Sequence, residues 1–242
     1  MKIKPYYEED GIVIYLGNCL KILPHLPKVD LICTDPPYGV DYDGGTTKRD
    51  RLLGDASSSL YEEVVPLLYS RCNHDAAMYM FYTDSKSIEV RSTILSAGFQ
   101  IRNTLIWNKH MAQYGSLTAQ YKQKYEPFLY CHLKGKSPHW YGPTTETTVW
   151  DVQRASANKY HPTQKPVELF CHILQNSSME NHLVLDPFMG SGTTLVAAKQ
   201  LGRRAIGVEI EEKYCVVAAD RLRRTSRSLV VETKKYKPKS LL

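Results

Sequence analysis

The chain has 242 residues, 43% of them hydrophobic and 23% charged, with a net charge of +6. These figures fit a single α/β domain with a sizeable core and exclude a low-complexity chain or a disulfide scaffold. No apolar run is long enough to span a membrane, and the first ten residues lack the apolar segment of a secretory leader, so a cytoplasmic protein is expected.

Residues 11–17 read as a short strand closed by a glycine turn, and Asn18-Cys19-Leu20 opens a helical stretch to about Leu26. Residues 29–33 form a short apolar run of the kind that makes a buried parallel strand. It runs into Thr34-Asp35-Pro36-Pro37-Tyr38-Gly39, where two prolines end the ladder because neither has an N–H to donate. Residues 41–51 are polar, contain glycine, and carry Lys48, Arg49 and Arg51; a loop that closes over substrate is expected there. Helical spacing covers residues 60–71 and 85–97, the second stopped by Gly98, and strands are expected at 76–82, 101–107 and 126–132. Residues 108–124 are polar and read as a loop. Residues 134–159 hold two tryptophans and few aliphatics and read as an insertion outside the main core.

The second half opens with His161-Pro162-Thr163-Gln164-Lys165-Pro166 and a helix over 167–175. A strand over 182–186 ends in Asp186 and is followed by Pro187-Phe188-Met189-Gly190-Ser191-Gly192-Thr193 and another helix. Gly190 and Gly192 allow a tight turn and close backbone approach to a ligand facing the helix N–H groups. The next strand, 203–209, carries Glu209 at its tip, about 20 residues beyond the glycine turn, where an acid can accept hydrogen bonds from a ribose. This strand–turn–helix–strand–acid series points to an adenosine-type cofactor. A helix over 213–224 becomes basic, and a basic tail follows, with Leu229 to Val231 able to add a strand. Alternating strands and helices argue for a doubly wound sheet.

The stretch around Asp35 offers a carboxylate, a carbonyl fixed beside proline and an aromatic ring at the C-terminal end of a strand, where α/β sheets bind ligands. That set suits methylation of an exocyclic base amine. The nitrogen lone pair is delocalised into its ring, and acceptors on its N–H bonds stabilise the charge that grows as a methyl arrives. Asp and Pro also form ordinary turns, and the cofactor signature downstream is what favours the chemical reading. The six cysteines (Cys19, Cys33, Cys72, Cys131, Cys171 and Cys215) lack any C-x-x-C pair, and Cys131-His132 and Cys171-His172 are not a zinc spacing, so reduced thiols and no metal are expected. The positive charge permits a nucleic-acid partner.

With these motifs the sequence resembles the S-adenosylmethionine-dependent amino-group DNA methyltransferases, over about residues 12–224. Asp35-Pro36-Pro37-Tyr38 matches the catalytic motif, Asp186 through Thr193 (with Phe188, Gly190, Ser191 and Gly192) the cofactor loop, and Glu209 the ribose acid. His161, Thr163 and Lys165 match the segment that holds the methionine part of the cofactor. Trp107-Asn108-Lys109 and Tyr125-Glu126-Pro127 resemble family strand motifs, and the stretch from Gln113 is similar to phage and mobile-element methylases. The catalytic motif precedes the glycine loop, as in the circularly permuted beta group. The resemblance implies a Rossmann-like, circularly permuted α/β sheet as one catalytic domain (1–224), a short target-recognition insertion (134–160) and a basic tail (225–242).

It further implies that an adenine flipped out of double-stranded DNA is methylated at N6, with Tyr38 stacked on the base and Asp35 and the Pro36 carbonyl accepting from its amine. Asn18, where the family often has Asp, and Cys19 fall on the cofactor side. The target site is expected to be short or loosely defined, and the family includes homodimers. Cytosine-N4 methylation is the alternative within the family, whose cytosine members usually carry Ser at the position of Asp35. RNA or protein-glutamine methyltransferases commonly have Asn there and place the glycine loop first. A non-catalytic nucleic-acid-binding subunit need not keep both sites intact.

Overall fold

A computed structural model describes residues 3–37, 59–113, 120–153 and 165–227. The expected loop at 41–51, Tyr38, His161, Thr163 and the 229–231 strand lie outside the described residues. In chain order the elements are β1 (Tyr7–Glu9), β2 (Ile12–Leu16), α1 (Cys19–Ile22), β3 (Val29–Thr34), α2 (Ser59–Arg71), β4 (Cys72–Phe81), α3 (Ser87–Ser96) and β5 (Phe99–Gln113). After them come β6 (Gln123–Leu133), β7 (Val149–Asp151), α4 (Val167–Ser177), β8 (Leu183–Asp186), α5 (Thr193–Gln200), β9 (Arg204–Glu209) and α6 (Glu212–Arg223). Among the described residues no helix is long and apolar enough to cross a membrane.

Among the described residues all strands join one sheet in the order β1-β2-β9-β8-β3-β4-β6-β5-β7. Strands β2, β9, β8, β3 and β4 run parallel, and β6 runs antiparallel to both β4 and β5. The period-2 alternation of side chains sorts the core into two halves. Leu31, Cys33 and Val184 face one side with Leu169, Phe170, Ile173 and Leu174 of α4. Ile32, Leu183 and Leu185 face the other with Val64, Val65 and Leu68 of α2. This is the doubly wound, permuted α/β sheet expected from the sequence. The chain leaves β3 towards β4 on one side and leaves β8 towards β9 on the other. The crevice above the C-terminal ends of β3 and β8 is therefore the topological switch point, where such sheets bind ligands.

Three features differ from the expectation. Strand β1 is additional to the expected elements; it pairs with β2 across Asp10 and Gly11, whose φ values of 51° and 78° are those of a tight hairpin turn. Of the polar stretch 108–124, expected as a loop, residues 108–113 extend β5 and residues 123–124 extend β6, with a register break between Asn108 and Gln113. There cross-strand pairing, which needs no apolar side chain, holds the strands. The described part of the 134–159 insertion is not outside the core. β7 pairs parallel with β5, Trp150 and Val152 are buried, and the Trp107 indole donates to the Val152 carbonyl at 2.7 Å. Trp150 stacks on His172 of α4, centroids 4.0 Å apart and planes within 13°. Large aromatic side chains supply the burial that the scarce aliphatics do not.

Candidate active site

The tips of β3 and β8 are tied together. Thr34, the last residue of β3, is fully buried and its hydroxyl donates to Asp186 Oδ1 at 3.1 Å. Asp186 also accepts from Phe188 N at 3.1 Å and from the Thr194 hydroxyl at 2.5 Å. Burial pushes its carboxyl up to about 7, and these three donors pull against that rise. The next residue, Asp35, starts the turn. Pro36 is buried beneath it, and the Tyr61 hydroxyl donates to the Pro37 carbonyl at 3.3 Å, so the loop is packed from below.

Asp35 forms an ion pair with Lys165, whose ammonium also lies 3.3 Å from Glu126 Oε2 and 4.6 Å from the centre of the Phe81 ring. Glu126 in turn pairs with Lys109 at 2.8 Å. Lys165 and Lys109 are buried, while Asp35 and Glu126 keep about a quarter of their side chains exposed. Burial works against the charge on Lys165, but the two carboxylates outweigh it and raise its pKa above the ordinary lysine value. Glu126 is the mirror case: burial raises its pKa, and Lys165 and Lys109 bring it below the ordinary value.

The glycine turn follows β8 as the sequence indicates. Gly190 and Gly192 have φ of 49° and 77°, the left-handed region that favours glycine. A Cβ on Gly192 would lie 2.8 Å from Ala218 Cβ, so α6 packs directly on the turn. Glu209 accepts from Gly190 N at 3.0 Å and from Glu211 N at 2.8 Å, and its backbone carbonyl accepts from Gly17 N at 2.8 Å. Burial raises its pKa, against the pull of these amides. Leu16 and Ile210, beside it, leave apolar surface exposed. Arg221 of α6 reaches back to donate to the Ser191 carbonyl at 2.6 Å, the Ser191 hydroxyl at 3.0 Å and the Thr193 hydroxyl at 3.2 Å.

Asn18 accepts from Leu20 N at 2.8 Å and so caps α1. Cys19 behind it is buried, and that burial pushes its thiol up to about 11. An acid with spare acceptor lone pairs, backbone N–H groups and flanking apolar side chains fit the diol and ring of an adenosine.

A family model described as DNA methylase, of the N6 and N4 amino-methyltransferases, matches residues 29–220. The chain belongs to this family. The family is S-adenosylmethionine-dependent, and its substrate is DNA. This DNA methylase is 32% identical to YubD of Escherichia coli (strain K12) over 219 residues, covering 88% of this chain and 91% of YubD. It is 27% identical to the type II methyltransferase M2.MboI of Moraxella bovis, with 88% and 89% covered. Among solved structures, the complex of M1.HpyAVI with S-adenosylmethionine superposes with a TM-score of 0.72 at 26% identity, over 87% of this chain and 98% of that one.

The methylase fold thus brings Asp35, Pro36 and Pro37 to the same crevice as Asp186, Phe188 and the glycine turn, with Glu209 one strand further along and Asn18 two. Lys165, matched in sequence to the cofactor's methionine segment, has its ammonium on Asp35 and Glu126. Sequence reasoning did not single out Thr34, Thr194, Arg221, Lys109 or Glu126 as parts of the site. The last two carried a signal: an acid and a lysine inside strands with buried neighbours require partners.

Proposed function

We propose that this methylase transfers a methyl group to N6 of an adenine flipped out of double-stranded DNA. The observation that carries the reading is the carboxylate of Asp35, set in a packed turn beside the cofactor strand. Asp35 and the Pro36 carbonyl accept from the two N6–H bonds, and Tyr38 stacks on the base. These contacts strengthen as positive charge grows on the nitrogen, which is the condition for lowering the barrier rather than only binding substrate. A base inside the duplex stack hides its amine from in-line attack, so extrusion is part of the reading.

S-adenosylmethionine supplies the electrophilic methyl. Glu209 accepts from its ribose hydroxyls, Asn18 and Cys19 border the same end, and Asp186, Phe188 and the turn from Gly190 to Thr193 line its path. Lys165 has three N–H donors; two serve Asp35 and Glu126, and the third is what it offers the methionine carboxylate, in a segment completed by His161 and Thr163. The exposed Lys122, Lys124, Lys134 and Lys136 are suited to phosphate contact more than to bidentate base readout, in keeping with a short or loose target.

Adenine is favoured over cytosine because the motif begins with Asp35, where the cytosine-N4 relatives usually carry Ser. Digesting methylated DNA to nucleosides decides the matter: N6-methyladenine is the expected product, and N4-methylcytosine as the main product overturns the assignment.

A further inference from the structure

Asp35, Lys165, Glu126 and Lys109 form a row of alternating charge that crosses four separate parts of the fold. Asp35 follows β3, Lys165 precedes α4, Glu126 lies on β6 and Lys109 on β5. We infer that Glu126 is a positioning residue for methyl transfer: through Lys165 it fixes the carboxylate of Asp35, with Lys109 balancing its charge. The inference rests on the reading of Asp35 as acceptor for the base amine.

Lys165 is almost fully buried, and a buried ammonium requires carboxylate partners. Were Asp35 its only carboxylate partner, no second ion pair would tie the ammonium to the sheet, and the pair would be freer to shift together. Glu126 supplies the tie. It sits directly opposite Trp107 in the β5–β6 ladder, within the stretch from Asn103 to Asn108 that pairs with Tyr130 to Tyr125 without a register break, and Pro127 and the buried Phe128 follow it. Phe81 closes another side of the ammonium at 4.6 Å. Lys165 is thereby fixed between a rigid strand and the catalytic turn, and Asp35 takes its position from β6. Lys109 has a second consequence: it lets Glu126 remain an anion without drawing Lys165 wholly to itself.

The test is single-turnover methyl transfer from labelled S-adenosylmethionine at saturating cofactor and duplex DNA. Glu126→Gln should slow transfer about 10–10²-fold, the scale expected when a reacting group is misplaced, with DNA affinity within about twofold of the parent. If Glu126 acts through Lys165, the double variant Glu126→Gln/Lys165→Met should be no more than about twofold slower than Lys165→Met alone. A double variant whose two losses multiply overturns the inference, as does an unchanged rate in Glu126→Gln. Should Glu126→Gln fail to fold, Glu126→Asp, which keeps the charge and shortens the reach, should still be slowed; an unchanged rate there overturns the inference too. Asp35→Ala separates this from the underlying reading. Loss of transfer in Asp35→Ala with a full rate in Glu126→Gln refutes only the role of Glu126, whereas a full rate in Asp35→Ala refutes the acceptor itself.

Discussion

Two carboxylates stand side by side at the switch point and are held in opposite ways. Asp35 meets an ammonium, which a second carboxylate shares. Asp186, one strand away, is held by two threonine hydroxyls and a backbone N–H, and Glu209 by two backbone N–H groups. Neutral donors fix geometry, while burial leaves Asp186 and Glu209 easier to protonate than ordinary carboxylates. A cation stabilises charge as well as position. Under the proposed roles, the cation stands beside the acceptor that answers developing positive charge, and neutral donors hold the carboxylates that shape a turn or meet neutral hydroxyls.

The largest effect expected from this contrast is a pH dependence of stability at Asp186. Its pKa is raised in the folded state, to about 7, so the folded state binds the extra proton between the unfolded value and about 7. Stability from this group is therefore greatest below that window and falls as pH rises through it, by about 4 kcal/mol over the whole range. Denaturant titrations of the parent and Asp186→Asn should show the gap between them shifting in favour of the variant from pH 4 to pH 8; a constant gap would mean that Asp186 is not carried as an easily protonated group. At the charged member of the pair, Asp35→Ala should lower the methyl-transfer rate about 10²–10³-fold, as removal of one preorganised electrostatic contact does, while leaving cofactor affinity intact. Glu209→Ala should do the reverse, weakening cofactor binding in calorimetry by about 1.5–3 kcal/mol with DNA affinity unchanged. The smallest change expected is in Gly192→Ala. Its left-handed φ and the approach to Ala218 should cost about 1–3 kcal/mol in a thermal or denaturant melt. Full stability in that variant would show the turn to be less tightly packed against α6 than its geometry indicates.

Most of the frame is legible in the sequence because its signals are local. The apolar run before Asp35, the glycines after Asp186 and the acid at the end of β9 each announce themselves within a few residues. The long-range partners do not. Lys165 lies 130 residues from Asp35, and no spacing rule links them. Glu126 and Lys109 stand out as charges within strands, but their joint purpose needs the β5–β6 register. β7 is hidden for another reason: three residues, of which only Trp150 is buried, are too few to reveal a period of two. The β1 hairpin could have been read, since Asp10-Gly11 is a hairpin turn pair.

The hydrogen bond from Thr34 to Asp186 spans 152 residues and joins the strand that runs into Asp35 to the strand that runs into the glycine turn. During synthesis, β3 is made early and can pair with β4, while its other edge must wait for β8. At about 5–20 residues per second the ribosome needs on the order of 10 s to supply that neighbour. For that interval the nascent chain presents an unsatisfied strand edge flanked by Leu31 and Ile32, the kind of surface that recruits chaperones or other unfolded chains. The order of elements that places both motifs in one crevice also means that the crevice cannot form until β8 has been made.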